Sequence, residues 1–189
     1  MKIACLGWGS LIWNPGELKV PKSKWRKGGP LLPIEFTRIS TDGRVTLVID
    51  GVAKKEVRVL WAELKKIDEL EDAIYLLAKR EGTMCKNVHY YCKVNGKVHD
   101  EVNEKIKGKI TEWLKRKKFD AVVWTGLKPK NKNGGGHLLV TGVIKHLEGL
   151  DPCDKKRAEE YIRKAPKQIG TEYRREIEVK FGWTPKEVL

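Results

Sequence analysis

Cysteine is scarce in this chain. The four copies, at 5, 85, 92 and 153, form no Cys-x-x-Cys pair, so neither a disulfide framework nor a ribbon-type zinc site is indicated. Cys85, His89 and Cys92 lie near one another in sequence, but "NVHYYCKV" reads as a strand, where these positions do not share one face; no metal is assigned. Glutamine occurs once, beside abundant lysine and glutamate, a bias found in heat-adapted proteins. No apolar run approaches the roughly 18–20 residues needed to span a bilayer. The apolar part of "MKIACLGWG" is too short for a secretory signal. A cytoplasmic location without a membrane partner is expected. There is no internal repeat, no Gly-Lys-Ser/Thr after either glycine cluster and no Gly-x-Ser-x-Gly, which argues against a phosphate loop and a serine nucleophile at Ser10.

What the chain does have is positive charge: 39 Lys and Arg against 25 Asp and Glu, a net +14 over 189 residues. These charges are interleaved along the whole length. The one dense run, "KRKK" at 115–118, ends a predicted helix, where cations complement the negative end of the dipole. An anion-attracting surface follows; a basic nucleic-acid-associated protein is kept as a lesser alternative. With 40% hydrophobic residues, residues 1–189 read as a single domain able to bury a core.

Residues 2–7 read as a buried strand. "LPIEFTRIS" (32–40) and "RVTLVID" (44–50) alternate apolar and polar residues across "TDG", which predicts a hairpin. "EVRVLWAEL" (56–64) predicts a third strand of this kind. So much antiparallel sheet before any long helix argues for an α+β fold. "DELEDAIYLLAKREG" predicts a helix capped by Asp68 and closed at Gly82. "HDEVNEKIKGKITEWLKRKKF" predicts another, with Val102, Ile106, Ile110, Trp113 and Leu114 on one face and His99, Asp100, Glu101 and Glu104 at its start. "DAVVWTGL" (120–127) reads as an interior strand. "KPKNKNGGGH" (128–137) reads as a loop, with His137 either exposed or carried on a lid. Helices are predicted over 141–149, 154–164 and 171–181.

Two places carry candidate chemistry. In "CLGWGSLIWNPGEL" (5–18), Gly7, Gly9 and Ser10 follow the first strand. Glycines there permit positive φ and close approach of a ligand, so successive N–H groups can form an anion-binding nest; a plain connecting turn is the competing reading. At the end of the first helix, Leu70, Ala73, Ile74 and Leu77 mark the buried face and Glu81 falls on it. A carboxylate held there, half out of water, suits proton transfer to and from an amine. A solvated end residue paired with Arg80 or Lys79 is the alternative.

Together these stretches resemble the γ-glutamyl cyclotransferase-like superfamily, in particular its ChaC-type branch. Gly9, Ser10 and Leu11 match its strand-end Tyr-Gly-Ser-Leu signature, and Ile12, Trp13, Asn14 and Pro15 match the extension. Arg80 and Glu81, in "KREG", match the later pair whose glutamate is catalytic. "QIGTEYRREI", with Thr171 and Tyr173, resembles the late tyrosine-bearing segment. The likeness covers about residues 3–82 firmly.

The resemblance implies a mixed β-barrel surrounded by helices and a cofactor-independent conversion of a γ-glutamyl amine or peptide into 5-oxoproline plus free amine. Glu81 would be the general acid/base, and Trp8, Gly9, Ser10, Leu11 and Tyr173 would contact the small γ-glutamyl substrate. Trp8 stands where the family has tyrosine and supplies only an N–H donor. A ligand-binding or regulatory module without turnover is therefore the second reading. Arg38, on the second strand, is either a substrate-carboxylate partner or part of a solvated face.

Overall fold

The computed structural model describes residues 1–18, 20–21 and 24–186. The chain divides into two compact units, each stitched from three segments. Unit 1 comprises residues 1–7, 14–32 and 58–127; unit 2 comprises 8–13, 33–57 and 128–189.

Unit 1 is built on strands β1 (Ile3–Gly7), β6 (Leu60–Glu63), β7 (Val88–Cys92) and β8 (Ala121–Thr125), in the order β6-β1-β8-β7. The chain passes to unit 2 after the two-residue strand β2 (Leu31–Leu32) and returns within the equally short β5 (Val57–Arg58). β1 runs antiparallel to β6 and parallel to β8, and β7 is antiparallel to β8. Its central place explains the first strand's composition: all five residues of β1 are buried, so both faces must be apolar or small rather than alternating. Helices α1 (Leu70–Glu81) and α2 (Glu104–Lys115) pack against this sheet, α1 over β7 and β8 and α2 against β7. Leu77 and Ile110 are fully buried, each side chain contributing about 1.5–3 kcal/mol by leaving water.

Unit 2 contains the predicted hairpin, β3 (Ile34–Ile39) with β4 (Val45–Ile49), and the helices α3 (Val140–Glu148), α4 (Pro152–Lys164) and α5 (Glu172–Phe181). The hairpin turn closes with Ser40 N–H to Arg44 O at 2.9 Å, and Gly43 sits at φ 78°, a region that glycine enters without a Cβ penalty. A bulge between Phe36 and Arg38 interrupts β3. Here the start of the 128–137 loop is fastened: Lys130 donates to Thr37 O and accepts from Ile39 N–H at 3.0 and 2.8 Å. α4 packs on β4 and α5 on β3.

Four expectations are corrected. Among the described residues none of the sheets closes into a barrel; the strands form separate sheets in an α+β arrangement. The third strand is broken at Val59, whose N–H and C=O are taken by Pro30 O and Gly29 N–H, and its second part, β6, pairs with β1. α1 starts after Glu69, with no side-chain cap from Asp68. α2 starts only at Glu104, because Asn103 caps it by accepting from Ile106 N–H; the acids at 100 and 101 precede the helix.

Candidate functional site

In unit 1 the end of α1 is held by two structural features. Gly82, at φ 61°, forms the left-handed C-cap, donating to Ala78 O and Lys79 O. One residue earlier, the Glu81 carboxylate accepts from Arg80 Nη1 at 2.6 Å, and both side chains are largely out of solvent, at 15% and 7% exposure. Arg80 Nε meanwhile donates to Asn14 O at 2.8 Å. Gly16, at φ 54°, lies against the Arg80 stem, where a Cβ would come within 3.0 Å of Cγ. Asn14-Pro15-Gly16 and Arg80-Glu81, two landmarks far apart in sequence, therefore meet in one unit. The pair also acts on β1: burial pushes the Cys5 thiol far up, the Glu81 carboxylate adds to the rise and Arg80 opposes it. Cys5 is accordingly an inert thiol.

The Trp8–Trp13 turn belongs to unit 2. Ser10–Ile12 is one turn of 3-10 helix, in which Ile12 N–H donates to Gly9 O and Trp13 N–H to Ser10 O. The expected positive φ is absent at Gly9, which sits at −128°. Its glycine is required by space instead, since a Cβ there would overlap the Tyr161 hydroxyl. That hydroxyl accepts Leu47 N–H at 3.3 Å, and Trp8 Nε1 donates to Leu47 O at 3.1 Å. Trp8, 2% exposed, and Tyr161 thus satisfy both backbone groups of Leu47 on strand β4. Leu11 is buried as well. Trp13 meets Tyr161 edge-on at 5.5 Å.

Tyr173 begins α5, behind the cap residue Thr171, whose side chain accepts from Arg174 N–H. Its hydroxyl lies 3.1 Å from His137 Nε2, and His137 Nδ1 lies 2.6 Å from Asp50 Oδ2. His137 is therefore neither a free loop residue nor the end of an untethered lid. Glu35, 3% exposed, accepts from Phe36 N–H at 2.8 Å and Tyr173 N–H at 3.3 Å. Burial nonetheless pushes its pKa up, against the opposing hydrogen bonds from Thr171 and the first amides of α5. Glu35, Asp50 and His137 were not singled out together by sequence reasoning: period-2 alternation puts Glu35 on a polar face, and 87 residues separate Asp50 from His137. Arg38 Nη1 donates to Lys128 O at 2.8 Å, fastening the same loop.

Among the described residues no group of three or more His, Cys, Asp or Glu side chains is placed to hold a metal ion. No described helix is long and apolar enough to cross a membrane. No protein-family model, curated protein or solved structure matches the chain.

Proposed function

We propose that the protein is a γ-glutamyl cyclotransferase-like enzyme acting in the cytoplasm, with Glu81 as its general acid/base. The observation that carries this reading is the joining of Arg80-Glu81 to Asn14-Pro15-Gly16 within unit 1: the Arg80 side chain bridges the Glu81 carboxylate and the Asn14 carbonyl. A guanidinium held by two contacts keeps the carboxylate in one orientation, which proton transfer requires.

In the proposed reaction the Glu81 carboxylate removes a proton from the α-ammonium of a γ-glutamyl group. The freed amine attacks that group's own γ-carbonyl, forming one C–N bond and closing the five-membered lactam. The original γ-amide C–N bond then breaks as Glu81 gives its proton to the departing nitrogen. The ring nitrogen, still carrying two hydrogens, passes its second proton to the freed Glu81 carboxylate, which hands it to the released amine, so the lactam is left neutral and the amine leaves as an ammonium. Atoms balance without a cofactor or water: one γ-glutamyl compound gives 5-oxoproline and one amine. Because the nucleophile and carbonyl belong to one molecule, the enzyme's task is to fold the substrate and move the proton.

The test is release of 5-oxoproline from glutathione, γ-glutamyl amino acids and γ-glutamyl amines. Glu81→Gln is expected to lower the rate by about 10²–10⁴-fold with an unchanged circular dichroism spectrum. No lactam from any of these substrates, or equal rates for the variant, would overturn the reading. The commitment of the Trp8 indole to Leu47 O favours one alternative, a module that binds such ligands without turnover. Saturable binding with no 5-oxoproline would select it.

A further inference from the structure

Unit 2 contains a cavity of about 500 Å³ lined by Glu35, His137 and Tyr173 among others. One wall is an ordered chain of hydrogen bonds. The Tyr173 hydroxyl lies 3.1 Å from His137 Nε2. On the other side of the ring, Nδ1 faces Asp50 Oδ2, while Val52 N–H donates to Asp50 Oδ1 at 3.1 Å. A carboxylate only accepts, so a proton of His137 lies on Nδ1, and the ring is held between Asp50 and the Tyr173 hydroxyl.

Glu35 lines the same cavity. Among the described residues no cation pairs with it, and its charge is met only by backbone amides and the Thr171 hydroxyl. A buried carboxyl in this state gains most from a cation that enters the cavity. The lysine of the wall, Lys54, does not serve: its side chain is 80% exposed and its Nζ pairs with Glu172 at 3.1 Å. Apart from Thr141, the remaining lining is aliphatic. Val52 and Leu139, 62% and 66% exposed, accompany Val140 around the opening. The charges facing this space are therefore Glu35, Glu172 and, behind His137, Asp50, against one lysine already paired. That is a local reversal of sign on a chain of net +14.

We propose that this cavity binds a small organic ammonium ion, a primary aliphatic amine whose nitrogen lies against Glu35 and the Tyr173 oxygen and whose alkyl part lies on Val52, Leu139 and Val140. An anion of the same size would meet two carboxylates. A neutral molecule would leave the Glu35 charge unmatched.

The full chain would be titrated with n-butylammonium chloride, sodium butyrate and 1-butanol at one ionic strength, following the amide signals of Val52, Val140 and Tyr173 by NMR. Butylammonium is expected to give saturable shifts, with butyrate and butanol at least about tenfold weaker, the worth of one charge-assisted hydrogen bond. Glu35→Gln is expected to weaken the amine by a similar factor. Should that variant fail to fold, Ala53→Leu, which narrows the cavity at a half-exposed position, should have the same effect. Glu81→Gln should bind the amine normally whether or not the protein forms 5-oxoproline. Equal affinity for all three probes, non-saturating shifts, or amine binding indifferent to the cavity substitutions would overturn the proposal.

Discussion

The two units keep ionised side chains out of water by different means. In unit 1 the Glu81 carboxylate has a cation beside it, Arg80, at 2.6 Å. In unit 2 helix ends share that role. Glu35 sits at the N-terminus of α5 and takes its amides. Arg174, 1% exposed, donates to the carbonyls of Ile162, Ala165, Pro166 and Ile169 around the C-terminus of α4, with Glu178 3.3 Å from its Nε. Anion at an N-terminus and cation at a C-terminus is the arrangement the helix dipole favours. The comparison separates two uses of a buried charge. One pairs a carboxylate with a neighbour on the same helix, leaving it a candidate for proton exchange; the other ties chain segments together.

Arg174→Met should have the largest effect, since it leaves several buried carbonyls without donors. A loss of about 3 kcal/mol or more is expected in denaturant unfolding, and a change below about 1 kcal/mol would break the comparison on the unit 2 side. Arg80→Met removes the bridge to Asn14 and the neighbour of Glu81. It should lower kcat for 5-oxoproline formation by about 10²-fold, the cost of a misplaced catalytic group, with little change in KM and partial recovery in Arg80→Lys. A change in KM alone would instead make Arg80 a substrate contact.

Glu35→Gln sharpens the contrast through pH. A carboxyl whose pKa is raised on folding binds its proton more tightly when folded. Its contribution is present at low pH and is lost as pH rises from the ordinary 4.5 through the raised folded value. Relative to the variant, the wild-type protein should therefore lose stability across that window, by about 1.4 kcal/mol for each pKa unit of separation. Unfolding curves at several pH values would check this, and parallel pH dependences would contradict it.

Much of the architecture was legible where local pattern and packing agree. The uninterrupted apolar run of β1, the Thr-Asp-Gly hairpin and the Gly82 stop each express one physical constraint, and each stands where expected. α2 was misjudged at its start because acids before a helix resemble acids in its first turn; the side chain of Asn103 decides the matter. The break at Val59 was illegible because its cause is a distant backbone, Gly29 and Pro30. The same holds for the sites. Glu81 was found from helix periodicity and a neighbouring glycine. Glu35 was hidden by strand alternation, since a polar residue at an outward position can still be covered by a helix, here α5. His137 was hidden by its glycine-rich surroundings, although both ends of that loop are fastened.

The crowding of Gly9 by the Tyr161 oxygen bears on how loss-of-function variants are interpreted. Any substitution at 9 forces the phenol away from Leu47, so a mutational scan will flag this glycine as intolerant for steric reasons. Trimming the obstacle reveals the cause: Gly9→Ala alone should be destabilised, and adding Tyr161→Phe should recover part of the loss, a coupling of about 0.5–3 kcal/mol in a double-mutant cycle. A residue that can be rescued by removing one oxygen from its neighbour is filling a mould, and its intolerance is no evidence of contact with a ligand.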